Sequence, residues 1–288
     1  MDIIELVREM NRLPKGTVVY KNIKGKKQPY LQWSEGGKTK SRYIKKNERD
    51  NIIADVERRK YLKEEFDRIA LEDINDYDYY YVSDNSISYS AFDCEQALIS
   101  KKKKDNVFYV NRELINSKKY YDKFTKLPVN NDVCRSLYKE AGRLLELVDG
   151  KDIEKLSVIN RRTGERIVDN FAREKESHHT GLNAEEYKKV TSSIDDVVVL
   201  HNHSLNHPPS GRDIVTYAED DNIILSLVLC HDGDIYAIVN AKQEVIDIYN
   251  FYLEYFEKEF EFDIARSLAT MRINNLNKNN CLFEIWRL

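Results

Sequence analysis

The stretch that decides the fold is DDVVVLHNHSLNHPPSGRDI, residues 195–214. Val197 to Leu200 form a short, mostly β-branched apolar run, which predicts a buried strand leading directly into two histidines. A polar loop follows, and Ser210 is a good N-cap for a helix that begins there. Strand, loop and helix in succession predict that this part of the chain belongs to an α/β domain.

The flanking sequence extends this domain in both directions. An amphipathic pattern predicts a helix over 131–148, and turns at Thr163-Gly164 and Asp232-Gly233 predict hairpins over 154–168 and 222–240. Residues 129–241 are therefore predicted to form a mixed α/β domain around one central sheet. In residues 242–288, a long helix from Gln243 to Thr270 and a last strand in CLFEIWRL should pack on it.

The N-terminal part is predicted to form a separate small module over residues 1–70. A short helix over 1–12 precedes three strand-like segments, TVVYKNI, QPYLQWS and TKSRYIK, and a charged helix over 48–70. Residues 71–128 are a connecting region. In it, DYDYYYVSD (76–84) and DNVFYVN (105–111) have strand character, and Lys101–Lys104 is expected to be a solvated loop.

Composition excludes several classes of protein. The chain has 288 residues, of which 41% are hydrophobic and 33% charged, and no apolar run is long enough to span a bilayer. The first residues, MDIIELVREMNRLPKG, do not resemble a secretory signal. The four cysteines are far apart without a CxxC pair, which predicts a reducing, cytoplasmic location and excludes a thiolate zinc knuckle.

Charge is distributed unevenly along the chain. Residues 15–46 contain ten Lys or Arg and one acid, so this segment carries +9 although the whole chain carries −3. With Tyr20, Tyr30, Trp33 and Tyr43 interleaved, the segment suits contact with a phosphate backbone, and nucleic acid is a candidate partner of residues 15–46. Its pattern is similar to the arm-type DNA-binding modules of phage integrases. The alternative is a solvated hairpin that docks on the acidic remainder of the chain.

The two histidines after the buried strand have the spacing of metal ligands. Residues i and i+2 of a strand point to the same face, so His201 and His203 can face one ion. Asp213, in the first turn of the next helix, can supply a third ligand. Three protein ligands leave a fourth position for water, which is typical of catalytic zinc, and a neighbouring carboxylate is then needed as general base. The alternative is a polar loop whose Ser-x-x-Asp only caps a helix.

His201-Asn202-His203 followed by Ser210-Gly211-Arg212-Asp213 resembles the JAMM motif of the JAB/MPN metallopeptidase family. The His-Asn-His form is similar to the RadC branch and to the JAB-like domains of some phage minor head proteins. The resemblance covers residues 129–241. Three departures are a spacer of six residues, where the family usually has seven, Ser204, where proline is common, and the lack of the glycine-rich strand that usually follows the family glutamate.

The resemblance implies a fold, a cofactor and a role for each residue. The fold would be the cytidine-deaminase-like, three-layer JAB/MPN domain, and His201, His203 and Asp213 would hold Zn²⁺. Glu154, after the 131–148 helix, would be the general base, with Glu165 and Glu146 as other nearby acids. Ser210 would donate a hydrogen bond to the oxyanion. The reaction would be the cleavage of a peptide or isopeptide bond in a protein or peptide substrate. Ubiquitin-like proteins are among the candidate substrates.

Two other functions stay open at this stage. The first is an MPN-like module that binds a protein partner without chemistry. The second is a nucleic-acid-binding phage or mobile-element protein that carries a JAB-like domain. An HNH nuclease is excluded because its motif spreads over about thirty positions, whereas these residues are contiguous. The pair His178-His179 is expected to lie in a loop.

Overall fold

The computed structural model describes residues 2–35, 37–78, 108–173, 180–258 and 260–288, with side chains to residue 70 in the second of these ranges. The chain divides into two compact units, Met1–Ile87 and Ser88–Leu288. Each unit has its own sheet, and both sheets are accompanied by helices. The protein is therefore of the mixed α/β class.

The first unit contains a three-stranded antiparallel sheet in the order β1-β2-β3, and its elements are α1 (Ile3–Arg12), β1 (Thr17–Ile23), β2 (Lys26–Glu35), β3 (Lys38–Tyr43) and α2 (Arg49–Asp78). Lys24 and Gly25 both have positive φ, at 50° and 77°, as a two-residue type I′ hairpin turn requires. Asp2 caps α1 by accepting hydrogen bonds from two backbone N–H groups.

One face of this sheet packs on α2. Leu31 of β2 and Ile44 are buried in a cluster with Ile52 and Val56 of α2, and Val18 of β1 packs against the same cluster. The apolar positions of β2 and β1 that face α2 are directly paired across the strands, Leu31 with Val18. The other face of the sheet therefore points away from α2.

The second unit is built on a six-stranded sheet in the order β5-β4-β6-β7-β8-β9. Its strands are β4 (Leu156–Asn160), β5 (Arg166–Asp169), β6 (Val197–His203), β7 (Ile223–Cys230), β8 (Ile235–Ala241) and β9 (Phe283–Arg287). Strands β6 and β7 are parallel and every other pair is antiparallel. Its described helices are α3 (Arg112–Ile115), α4 (Lys118–Phe124), α5 (Asn131–Val148), α6 (Ala184–Thr191), α7 (Gly211–Glu219), α8 (Glu244–Phe256) and α9 (Phe262–Asn280).

Alternation along β6 directs its side chains to two different environments. Val198 and Leu200 are buried in the main core with the apolar stripe of α5 and with β7. Val197, His201 and His203 point to the opposite face, where α7 crosses behind β7 and β8. Helices thus cover both faces of the sheet, and the histidines lie on the side of α7.

The structure confirms most of the predicted elements of this unit. The 131–148 helix, both hairpins, the strand leading into the histidines and the last strand are all present. The strand β6 extends through His203, so both histidines are part of the strand. The N-cap of α5 is Asn130, and its side chain accepts a hydrogen bond from the Val133 N–H.

Three predicted elements differ from the structure, and one of them lies partly outside the described residues. The single helix from Gln243 to Thr270 is two helices, α8 and α9, which pack on each other. Residues 108–111 of the predicted strand 105–111 are not a strand, because the Val110 N–H binds the Asp149 carboxylate and Asn111 caps α3. Of DYDYYYVSD, residues 76–78 continue α2, and the rest, like Lys101–Lys104, lies outside the described residues.

In the described part of the chain, none of the helices combines the length and the apolar character that crossing a bilayer requires.

Candidate metal centre

The end of β6 places two imidazoles side by side. His201 and His203 are 5% and 8% exposed, and β6 is an inner strand that pairs with β4 on one edge and β7 on the other. Both rings are on the α7 side of the sheet, and their Nε2 atoms are 3.1 Å apart. The i, i+2 spacing of the sequence therefore brings the two rings together, as predicted.

The start of α7 brings in a carboxylate. Asp213 occupies the third position of the helix and completes a capping box with Ser210: its Oδ2 accepts hydrogen bonds from the Ser210 N–H at 2.7 Å and from the Ser210 hydroxyl at 2.8 Å. These bonds fix the direction of the side chain. Asp213 Oδ1 lies 3.3 Å from His201 Nε2, and Asp213 Oδ2 lies 3.4 Å from His203 Nε2.

The spacing of these three ligand groups fits a tetrahedral metal ion. Ligands at about 2.0–2.1 Å from zinc and separated by the tetrahedral angle are about 3.3 Å from one another. The two Nε2 atoms are 3.1 Å apart, and each lies within 3.3–3.4 Å of a different oxygen of Asp213, so the separations are close to this value. Among the described residues, His201, His203 and Asp213 are the group of His, Cys, Asp and Glu side chains that can hold a metal ion.

Hydrogen bonding leaves acceptor atoms facing the centre of this triad. His203 Nδ1 donates to the main-chain carbonyl of His207 at 2.9 Å, so in the neutral ring Nε2 carries a lone pair directed at the centre. Burial acts to raise the pKa of Asp213, but the charges and hydrogen bonds of His201 and His203 hold it well below its usual value. The carboxylate is therefore ionised, as a metal ligand must be.

Glu154 lies opposite His203. In the antiparallel register of β4 and β6, Leu156 pairs with His201, and the Asn202 N–H donates to the Lys155 carbonyl at 3.3 Å, which continues the ladder one residue further. Two residues back from Leu156 is Glu154, on the same face as the histidines. Burial raises the pKa of Glu154 to about 7, with smaller opposing effects from His203, which lowers it, and Asp213, which raises it.

The backbone on both sides of Glu154 is held by Asn202. The fully buried Asn202 side chain accepts from the Lys155 N–H at 2.8 Å and donates to the Ile153 carbonyl at 2.9 Å. Its amide also faces His231 Nε2 at 3.3 Å, and His231 Nδ1 donates to the Phe108 carbonyl at 2.7 Å. Burial lowers the pKa of His231, which keeps its ring neutral and able to accept.

Sequence reasoning missed this pair. Asn202 enters the sequence pattern only as the middle residue of His-Asn-His, and His231 belongs to no motif. The available signal was strand alternation, because a polar Asn on the core face of a buried strand needs buried partners. Its partners, however, lie in other strands and could not be read from local sequence.

The other acids that were considered do not approach the triad. Glu165 is exposed in the turn after β4, at the end where Asn160 pairs with Val197, about 20 Å along the strand from the position opposite His203. Glu146 is exposed on α5, which packs against the other face of the sheet. The pair His178-His179 lies outside the described residues.

Helices α8 and α9 both pack against α7, the helix that carries Asp213. The Gly211 N–H donates to the Thr270 hydroxyl at 3.0 Å, and a Cβ at Gly211 would lie 2.4 Å from the Tyr249 ring. Only glycine allows the first turn of α7 to approach this close. Residues after 241 are therefore part of the wall that holds Asp213 in place.

Comparison with known proteins gives one match. Residues 2–54, from α1 through the three strands into the beginning of α2, match a domain of unknown function, DUF6788. Neither the curated proteins nor the solved structures include a match to the chain. The matched region does not include the triad.

Proposed function

We propose that the second unit is a zinc-dependent hydrolase of the JAB/MPN type that cleaves a peptide or isopeptide bond. The observation that carries the proposal is the convergence of His201, His203 and Asp213 within the reach of one metal ion, with Glu154 opposite His203. Two imidazoles and one carboxylate are a donor set typical of zinc sites that retain an open position for water.

Zinc bound by these residues would acidify a coordinated water and polarise the scissile carbonyl. Glu154 would accept a proton from the attacking water and deliver it to the leaving amine. A carboxyl with a pKa near 7 suits both steps, because it is partly ionised and partly protonated at neutral pH. Asn202 would keep this carboxyl in place through the backbone on either side of it.

Ser210 has one proton and two candidate acceptors. Its hydroxyl donates to Asp213 at 2.8 Å, so its first role is to orient a ligand carboxylate. The oxyanion role that the resemblance implies would require this hydroxyl to rotate toward the substrate. The backbone N–H of Ser210 and its hydroxyl both bind Asp213 Oδ2, so the carboxylate would keep one hydrogen bond after such a rotation.

The order of elements supports the same fold family. Helix α5, hairpin β4–β5, strand β6 with the histidines, helix α7 with the aspartate and hairpin β7–β8 follow one another in the order that the JAB/MPN resemblance implies. The six-stranded sheet lies between helices on both faces. A protein or peptide substrate, including a ubiquitin-like one, is the class of partner that this proposal requires.

The test is cleavage by zinc-loaded full-length protein of two probe sets: a library of fluorogenic peptides, and peptides joined through a lysine side chain. Glu154→Gln should retain the metal and lose at least about 100-fold in turnover, within the range of general base catalysis. The matched control is Glu165→Gln, which neutralises an exposed carboxylate at the far end of β4. Equal turnover in both variants would remove Glu154 from the mechanism.

A second outcome would overturn the enzymatic proposal itself. If the wild type binds zinc stoichiometrically and cleaves neither probe set, the unit is better described as an MPN-like module that binds a partner without chemistry. Zinc content measured on the same samples separates this result from a simple failure to bind metal.

A further inference from the structure

The first unit has a sheet face that its own helices leave open. The open face consists of alternate residues: those of β1 from Thr17, of β2 from Lys26 and of β3 from Thr39. These positions point away from α2, because Leu31 and its paired neighbour Val18 point toward it. Several of them are well exposed, Tyr43 at 44% among them.

The charge of this surface is of one sign. The described residues of the open face include no acid, and Lys21 and Lys26 lie on it. Glu35, the one acid between residues 15 and 46, points to the opposite face, where Lys40 pairs with it at 2.7 Å. The surface therefore fits a polyanion.

More lysines stand at the two ends of the central strand. Lys24 and Lys26 lie on either side of Gly25 at the β1–β2 turn, and Lys38 follows the β2–β3 turn at the opposite end. Within the described ranges, none of these three forms an ion pair. The ten residues of β2 separate the two groups by about 30 Å. Positive charge at both ends suits contact with phosphates on both sides of a groove.

The open face offers hydrogen-bonding side chains between these lysines. Gln28 and Gln32 project from β2, and Ser41 lies beside Gln32 on β3. Glutamine can make two hydrogen bonds to the major-groove edge of adenine. Three strands spaced by about 4.8 Å make a backbone width of about 10 Å, comparable to the B-DNA major groove of about 12 Å.

The aromatic residues favour a duplex over a single strand. Lys21 Nζ lies 4.6 Å over the Tyr30 ring, and Tyr43 meets Tyr30 edge-on, with ring centroids 5.6 Å apart and an interplanar angle of 64°. Lys21 and Tyr43 therefore already contact the Tyr30 ring, whereas stacking of single-stranded nucleic acid requires flat, uncovered rings. Double-stranded RNA is disfavoured because its major groove is too narrow for side chains to read.

We propose that the open face binds double-stranded DNA through the major groove, with Lys24, Lys26 and Lys38 contacting the flanking phosphates. This function belongs to the first unit. It is independent of the hydrolase proposed for the second unit.

The test is fluorescence anisotropy of full-length protein with a mixed-sequence DNA duplex of about 20 base pairs, in EDTA, over a range of salt concentrations. The triple variant Lys24→Gln, Lys26→Gln, Lys38→Gln should bind at least about tenfold more weakly. Its slope of log affinity against log salt should fall by about 3, one for each lost contact. The matched control removes three exposed lysines from the second unit, Lys118→Gln, Lys119→Gln and Lys126→Gln, and should bind like the wild type.

A second variant tests the face itself. Gln28→Ala with Gln32→Ala should weaken binding and leave the salt slope unchanged, because these side chains carry no charge. Absence of duplex binding by the wild type, or equal loss in the two lysine triples, would overturn the proposal. Tighter binding of single-stranded DNA or of an RNA duplex of the same sequence would also overturn it.

Discussion

At the scale of single residues, the centre depends on which atoms face one another. His203 uses Nδ1 for the His207 carbonyl, and Asp213 uses Oδ2 for Ser210, so Nε2 of the one and Oδ1 of the other remain directed at the centre. A buried carboxylate such as that of Asp213 needs a compensating positive charge, and a cation bound at the triad would supply it.

Glu154 provides a test of burial at this site. Its pKa is about 7 in the folded protein and near the ordinary 4.5 in the unfolded chain, so the folded state binds more protons between these values. The free energy of unfolding should fall as pH rises from 4.5 to 7 and stay constant above. Glu154→Gln should not show this fall. In EDTA at pH 8, the free energy of unfolding of this variant should exceed that of the wild type by up to about 3 kcal/mol.

Urea unfolding of both proteins at several pH values measures this difference. Parallel curves for the variant and the wild type from pH 4.5 to 8 would show that Glu154 is not buried as described.

Asn202 should matter for stability more than for metal binding. Asn202→Ala leaves the Ile153 carbonyl, the Lys155 N–H and the His231 ring without their buried partner, at a cost of about 2–3 kcal/mol in the free energy of unfolding. Zinc affinity should change little, because Asn202 points to the face opposite the ligands. A decrease in the free energy of unfolding of less than about 0.5 kcal/mol would contradict the role of Asn202 in holding the backbone around Glu154.

At the scale of elements, the site lies where the end of one strand meets the beginning of one helix. Strand β6 supplies two ligands and α7 supplies the third from its first turn, so the capping box that begins α7 also orients Asp213. Gly211 lets this turn pack directly on Tyr249 and Thr270. The position of α7 relative to β6 therefore decides whether the triad forms.

The two roles of the α7 capping box can be separated by a matched pair. Ser210→Ala should lower the free energy of unfolding by about 1 kcal/mol and zinc affinity by about 10–100-fold. Asn183→Ala removes the capping box that begins α6 and should cost similar stability without affecting zinc. Equal zinc affinity in the two variants, measured by competition with a chelating dye, would show that Ser210 does not orient Asp213.

At the scale of the whole molecule, each unit has its own sheet and its own candidate function. The main core of the second unit is made of residues from Val110 onward, and its sheet is complete from β4 to β9. A fragment of residues 108–288 should therefore unfold cooperatively and bind zinc as the full chain does. Non-cooperative unfolding in urea, or loss of zinc binding, would show that preceding residues are needed.

The strongest local patterns predicted the strands and the triad, because alternation, hairpin turns and His-x-His are signals within a few residues. The boundary between α8 and α9 was not predictable: neither Gly nor Pro occurs between Glu244 and Asn280, and packing of the two helices on each other decides it. Likewise, Phe108 to Asn111 looked like a strand, but their backbone bonds go to Asp149, Gly150 and His231, which are distant in sequence.

The most direct test of the central claim is the metal content of purified protein after zinc loading and desalting, measured by elemental analysis on the wild type, Asp213→Asn and Asp221→Asn. Asn at position 213 can still accept the Ser210 N–H but lacks the carboxylate charge, and Asp221 is an exposed control. We expect about one zinc per chain in the wild type and the control and little or no zinc in Asp213→Asn. Equal zinc in all three, or none in the wild type, would contradict a metal centre at His201, His203 and Asp213.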